Sequence, residues 1–79
     1  MTFAVKNVSL ETFRGFLKQN GLKQIRTNGG HEIWSRKNLT RPVILQSHVD
    51  PIPIFIIKNN LRTMGLTLND LRAYMTSKN

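Results

Sequence analysis

Two histidines are the residues of this chain best suited to proton transfer near neutral pH. His31 directly follows Gly29 and Gly30, and His48 is the second histidine. An imidazole has an unperturbed pKa of about 6.5, so it can accept or donate a proton under physiological conditions. The sequence separation of the two histidines does not match the spacing of zinc ligands, and the chain has no cysteine. These residues therefore predict acid–base chemistry, and no metal site is expected.

The two glycines beside His31 make it the stronger candidate. Asn28-Gly29-Gly30 is a tight turn signal, so we expect His31 to begin a strand as the chain leaves a hairpin. Because glycine carries no side chain, a phosphate backbone can approach the imidazole closely. In RNA cleavage such a group removes the proton of a 2′-hydroxyl, which attacks the neighbouring phosphate, or it protonates the departing 5′-oxygen. An ordinary polar residue next to a turn is the alternative interpretation of His31.

Cations and one aromatic ring accompany the predicted hairpin. Arg26, Arg36 and Lys37 flank it on its two strands and are candidates for contacts with phosphoryl oxygens. Trp34, on the returning strand, either stacks on a base or packs under a helix. His48, near the end of the next strand, either contacts RNA or shares in proton transfer. The alternative is that it makes a hydrogen bond at the sheet edge or caps the Asp50 turn.

The overall charge favours a polyanionic partner. Twelve Lys and Arg residues stand against four Asp and Glu residues, which gives a formal net charge of +8. Nucleic acid is the leading partner for such a field, and an acidic protein would be attracted in the same way. A protein that is basic without such a partner is the remaining alternative. The sequence contains neither G-x-S-x-G nor a glycine-rich phosphate cradle, which argues against a serine hydrolase and a P-loop enzyme.

Four other charged residues receive supporting roles. Glu32 is expected to be a solvated charge, and Asp70 is expected to cap a helix that Thr67 begins. Arg14 and Lys18 lie one turn apart on the polar side of the predicted first helix. We expect these two cations to extend the basic surface.

The hydrophobic period changes along the chain and predicts helices on either side of a set of strands. The predicted elements are, in chain order, a helix over residues 9–20, strands over residues 22–27, 31–37 and 43–49, a helix over residues 53–64, and a short helix from Thr67. Gly15 lowers helix propensity by about 1 kcal/mol relative to alanine, so we expect it to serve a close packing contact. Tight turns make the strands antiparallel, and residues 1–79 then form one α+β domain. It is a two-layer sandwich whose sheet has one open face.

Segment lengths argue against a membrane protein. The longest mostly apolar run covers residues 51–57, far short of the roughly 20 residues that cross a bilayer. Lys6, Glu11 and Arg14 interrupt the region in which a signal peptide would have its apolar segment. The absence of cysteine fits a reducing compartment. We therefore expect a cytoplasmic protein with no membrane partner.

Several motifs, taken in order, resemble those of the HicA-like toxins. Gly29-Gly30-His31, followed by Trp34, resembles the glycine–serine–histidine hairpin of that family. The strand ending at His48 resembles the family's third strand, which ends in a proline–x–histidine pattern. Residues 60–67 look like the end of its second helix, and residues 68–74 match its short terminal helix. The resemblance covers nearly the whole chain.

This resemblance implies a fold and an activity. HicA-like proteins are small ribonuclease toxins of type II toxin–antitoxin systems with a fold like that of double-stranded-RNA-binding domains. They cleave mRNA without a metal or organic cofactor, and a HicB-type antitoxin holds them inactive. The family's catalytic histidine falls on His31. Contacts to RNA are expected from Gly29, Gly30, Arg26, Trp34, Arg36, Lys37 and His48. A non-catalytic RNA-binding module with the same fold is the alternative.

The chain departs from the family pattern in two places. Gly30 stands where the family has serine, which removes any hydroxyl contribution at that position. Residues 50–53, with the sequence DPIP, replace a stretch that is often more polar in the family. We expect the second departure to alter the local shape of the surface that meets RNA or a partner protein.

Overall fold

The sheet and helices follow the predicted order in the structure, a computed structural model that describes residues 5–77. It is a small α+β fold with three helices and a three-stranded antiparallel sheet. The elements are α1 (Leu10–Gln19), β1 (Lys23–Asn28), β2 (His31–Ser35), β3 (Val43–Gln46), α2 (Ile54–Met64) and α3 (Leu68–Ser77).

Helix α1 begins where the sequence predicts, and two side chains hold its start. Ser9 Oγ accepts a hydrogen bond from the backbone N–H of Thr12 at 3.0 Å. Asp50 Oδ1 accepts a hydrogen bond from the backbone N–H of Leu10 at 3.1 Å. Carboxylates and hydroxyls at this position satisfy N–H groups that have no partner within a helix. Asp50 therefore fixes α1 to the segment that follows β3.

The sheet has the order β1-β2-β3, so β2 is its central strand. The β1–β2 hairpin pairs Asn28 with His31, and its register shifts between Gln24 and Arg26. Gly29 has a φ of +65°, whereas Gly30 has a negative φ, which is the pattern of a type II′ turn. This turn sets the position of His31 at the start of β2.

One face of the sheet is buried and the other is open. Trp34 lies opposite Val43, and Glu32 lies opposite Leu45; all four residues are buried. Directly paired residues on neighbouring strands point to the same face, so these four form the covered face. It packs in one core cluster with apolar residues of α1 and α2, among them Phe13, Leu17, Ile57 and Leu61. The opposite face carries His31 and its partner Gln46, and Ile33 and its partner Ile44; on this face Ile33 is 8% exposed and Ile44 is 44% exposed.

Helix α3 is longer than the short helix that the sequence predicts. It has ten residues, as many as α1. Thr67 and Asp70 form the predicted cap, in which Asp70 Oδ2 accepts from the backbone N–H of Thr67 at 2.8 Å. Tyr74 packs edge-on against Phe16 of α1, with ring centroids 5.5 Å apart. A Cβ atom at Gly15 would collide with the Tyr74 hydroxyl, which confirms that Gly15 serves a close contact.

The third strand ends earlier than predicted. Its alternation is confirmed for Val43 and Leu45 on the buried face, but β3 stops at Gln46 instead of residue 49. The backbone N–H of Val49 donates to the carbonyl of Gln46 at 3.2 Å, so the chain turns away from the sheet there. His48 consequently lies in a turn and not on a strand.

Candidate functional site

A buried carboxylate organises the region around the predicted site. Glu32 is only 4% exposed, because it lies on the covered face of β2 beneath α1. The prediction of a solvated charge is therefore wrong. Its oxygens accept hydrogen bonds from the Arg14 guanidinium, from Trp34 Nε1 at 3.1 Å and from Ser47 Oγ at 2.8 Å. The hydrogen bonds from Arg14 are the main cause that lowers the pKa of Glu32 to about 2.

Arg14 is bound to the Glu32 carboxylate, so it does not extend the basic surface as predicted. The guanidinium forms an ion pair with Glu32, the one ion pair among residues 5–77. The Glu32 carboxylate also raises the pKa of Arg14, chiefly through the same side-chain hydrogen bond. Arg14 thus holds α1 to the sheet, whereas Lys18 remains exposed.

The turn after β3 is held against the β1–β2 hairpin by Ser47. The Ser47 hydroxyl donates to Glu32, and its backbone N–H donates to the carbonyl of Gly30 at 2.7 Å. One residue therefore contacts both the buried carboxylate and the hairpin turn. Because His48 follows Ser47 directly, its backbone is fixed at the end of the sheet where His31 lies.

The imidazole of His48 packs against Gly30. A Cβ atom at position 30 would lie 3.0 Å from Nδ1 and 3.1 Å from Cε1 of His48, which is tighter than nine in ten real contacts of this kind. Glycine at position 30 thus has a physical reason, because a side chain there would press on the His48 ring. Gly29, by contrast, has open space around it.

The structure brings His31, His48 and the two glycines together, and we call these four residues the histidine corner. His31 is exposed and is the first residue of β2, opposite Asn28 and Gln46. His48 is also exposed. Neither ring is enclosed by protein, so a nucleic acid chain can reach both. The exposure of His31 beside the turn fits both the reacting group and the ordinary polar residue that the sequence leaves open.

The predicted cations are distributed along the sheet. Arg26 is exposed, and its partner on β2 is Ile33. Ile33 lies two residues after His31 on the same strand. Lys37 is exposed in the turn beyond Ser35, at the end of β2 opposite to His31. Arg26 is therefore the cation nearer to the histidine corner along the sheet, and Lys37 lies at the far end of β2.

Arg36 and Trp34 are both engaged within the fold. The Arg36 guanidinium donates to the carbonyl of Asn20 at 2.6 Å and to that of Met64 at 3.4 Å. These carbonyls lie at the C-terminal ends of α1 and α2, where the helix dipole is negative. Arg36 therefore connects the two helix ends and is not a free phosphate ligand. Trp34 is 2% exposed and packs under the helices, which leaves no ring face for a base. Of the two interpretations of Trp34, packing under a helix is confirmed.

The open face of the sheet carries no carboxylate. Glu32 is the one acidic residue in the three strands, and it points to the covered face. Asp50 and Asp70 are bound at the starts of α1 and α3, and Glu11 lies in the first turn of α1. Lys23 and Arg26 are exposed on β1. An anionic chain on this face would meet positive charge without opposing carboxylates.

Two classes of feature are not found in the part of the chain that the structure describes. Within residues 5–77, no group of three His, Cys, Asp or Glu side chains is arranged to hold a metal ion. None of the helices in this range has the length and apolar character needed to cross a membrane.

Comparison with known proteins assigns no family. No family model, curated protein or solved structure matches the chain. The resemblance to HicA-like toxins therefore depends on the motifs of the sequence and is carried forward as a proposal.

Sequence reasoning missed Ser47 and the central role of Glu32. The sequence does contain one indication that Glu32 is buried. Side chains two residues apart on a strand point to the same face, so Glu32 shares its face with the apolar Trp34. The partners of Glu32 come from α1 and from the turn after β3, at sequence separations of 18 and 15. No local pattern contains such contacts.

We predict that Glu32→Gln destabilises the fold in a pH-dependent way. The folded-state pKa of about 2 lies below the unfolded value of about 4.3. The carboxylate therefore stabilises the fold fully above about pH 5, and this stability is lost as the pH falls towards 2. Urea unfolding at pH 7 should show a loss of about 2–3 kcal/mol in the variant, and the gap should narrow by pH 3.

Glu11→Gln is the matched control for this measurement. Glu11 is exposed in the first turn of α1, and its loss should change stability by less than about 1 kcal/mol. An equal effect of the two substitutions at pH 7 would contradict the role assigned to Glu32.

Proposed function

We propose that this chain is a HicA-like endoribonuclease toxin of a type II toxin–antitoxin system. The observation that carries the proposal is the exposed His31 beside Gly29 and Gly30, at the edge of a sheet face that has no carboxylate. The ordered motifs of the sequence support the same family. The substrate is mRNA, which places the proposed activity in the cytoplasm.

In the proposed reaction, His31 transfers a proton in a metal-independent transesterification. Either it takes the proton of the 2′-hydroxyl, so that the 2′-oxygen attacks phosphorus, or it gives a proton to the 5′-oxygen as the P–O5′ bond breaks. Gly29 and Gly30 leave room for the sugar–phosphate backbone. Arg26 is the exposed cation closest along the sheet, and it is placed to stabilise charge on the phosphoryl oxygens. Lys37 contacts a more distant phosphate.

The order of elements supports a fold like that of double-stranded-RNA-binding domains. A helix, three antiparallel strands and a second helix follow one another, and the helices contribute to one core on one face of the sheet. This arrangement leaves the opposite face available to RNA. Helix α3 extends the helical layer by packing on α1.

The proposed inhibitor is an acidic HicB-type antitoxin that covers the histidine corner and the open face. Burial of His31 would exclude RNA from the site. Complementary charge would also accelerate the association, because the toxin has a formal net charge of +8.

A non-catalytic RNA-binding module is the second candidate, favoured by the same carboxylate-free face. Trp34 is the one aromatic residue in the three strands, and it is buried. A stacking platform on the sheet is therefore not available, and such a module would depend on phosphate contacts. The two candidates differ in whether His31 is needed.

We expect His31→Ala to abolish RNA cleavage and leave RNA binding intact. The substitution removes the proton-transfer group at an exposed position, so the fold is retained. The measurement compares RNA integrity after incubation with the wild-type protein and with the variant, both with EDTA present. Cleavage by the wild type alone supports the toxin. Binding without cleavage by either protein supports the RNA-binding module. Equal cleavage by both proteins excludes His31 as the catalytic residue.

Arg26→Ala should weaken RNA binding and reduce its salt dependence. The slope of log K against log salt should fall by about 0.7 for each lost contact with single-stranded RNA. Binding is measured in the His31→Ala background so that the RNA stays intact. Lys58→Ala is the control, because it removes the same charge from an exposed position on α2. Equal slopes for the two variants would exclude Arg26 from the RNA interface.

A further inference from the structure

We propose that His48 is the second proton-transfer group of the site and takes the role opposite to that of His31. The inference rests on the proposed ribonuclease function and extends it. It is carried by the packing of the His48 imidazole against Gly30, the residue next to His31.

The position of His48 is fixed by contacts on both sides of it. Ser47 donates from its hydroxyl to the buried Glu32 and from its backbone to the carbonyl of Gly30. On the other side, the backbone N–H of Val49 donates to the carbonyl of Gln46. A turn held in this way presents the side chain of His48 to the hairpin in one place, as a reacting group requires.

The turn after β3 brings His48 to the hairpin that carries His31. The His48 ring contacts Gly30, and Gly30 is the residue directly before His31. In the proposed reaction, the two imidazoles serve the 2′-oxygen and the 5′-oxygen of one phosphodiester. A side chain at residue 30 would press on the His48 ring.

No other described residue fits the second role at this corner. Glu32 is buried and held ionised by Arg14, so it cannot supply a proton near neutral pH. Asp50 is bound to the start of α1, and Asp70 to that of α3. Tyr74 packs against Phe16 in the helical layer. His48 is left as the exposed group whose side-chain type exchanges protons near neutral pH.

The chemistry is balanced by the two histidines alone. One imidazole removes the proton from the 2′-hydroxyl, and the 2′-oxygen forms a bond to phosphorus. The other, entering as imidazolium, donates its proton to the 5′-oxygen as the P–O5′ bond breaks. The products are a 2′,3′-cyclic phosphate and a 5′-hydroxyl, and no oxidant, metal or further reactant is consumed.

The test uses a short RNA in which sulfur replaces the bridging 5′-oxygen at a mapped cleavage site. A thiolate leaves without being protonated, so this substrate no longer needs the general acid but still needs the general base. His31→Ala and His48→Ala are each compared on the oxygen and the sulfur substrates. RNA binding is measured in parallel.

We expect both variants to cleave the oxygen substrate at least about 100-fold more slowly than the wild type, and both to bind RNA. On the sulfur substrate, one variant should regain activity and the other should not. Near wild-type cleavage by His48→Ala, with His31→Ala inactive, would overturn the inference and leave the proposed function standing. Two variants with the same response to sulfur would also overturn it. A wild-type protein that cleaves neither substrate would overturn both proposals.

A second variant tests the contact itself. Gly30→Ala places a Cβ atom against the His48 ring, and the negative φ of residue 30 tolerates alanine, so the ring has to shift by a few tenths of an ångström. We expect cleavage to fall about tenfold through misplacement of the imidazole. In a His48→Ala background the same substitution should have no further effect, because the ring is gone. An equal loss in both backgrounds would show that Gly30 does not act through His48.

Discussion

A buried carboxylate requires hydrogen bonds, and in this fold the partners of Glu32 connect three parts of the molecule. Arg14 comes from α1, Trp34 from the central strand and Ser47 from the turn after β3. Removing a partner would leave part of a charge buried without compensation, which is among the more destabilising changes in proteins. The helical layer, the sheet and the turn are thereby held in one arrangement. The location of His48 beside the hairpin is a consequence of this arrangement.

The scarcity of acidic residues shapes the surface. Glu32 forms an ion pair, Asp50 and Asp70 bind helix starts, and Glu11 lies in the first turn of α1. The carboxylates thus stabilise the fold, and the open face of the sheet keeps its positive charge. A charge distribution of this kind favours a polyanion on that face. The same chain therefore combines one packed core with a sheet face that carries cations and no carboxylate.

Local patterns were sufficient to predict the order of the elements. The periodicity of α1, the glycine turn before His31 and the cap formed by Thr67 and Asp70 are all properties of short segments. The end of β3 was predicted three residues too late, because the apolar alternation continues through Val49 while the backbone turns. The roles of Glu32 and Arg36 depend on partners distant in sequence, so they could not be predicted. The contact of His48 with Gly30 likewise depends on how β3 leaves the sheet.

The central claim is that the histidine corner cleaves RNA by proton transfer alone, and the chemistry of the new RNA ends tests it most directly. Mass spectrometry of fragments produced in the presence of EDTA would identify both ends at each cleavage site. The account predicts a 2′,3′-cyclic phosphate on one side and a 5′-hydroxyl on the other, and no cleavage at a position whose sugar lacks the 2′-hydroxyl. Fragments ending in a 3′-hydroxyl and a 5′-phosphate, or cleavage at a 2′-deoxy position, would contradict it.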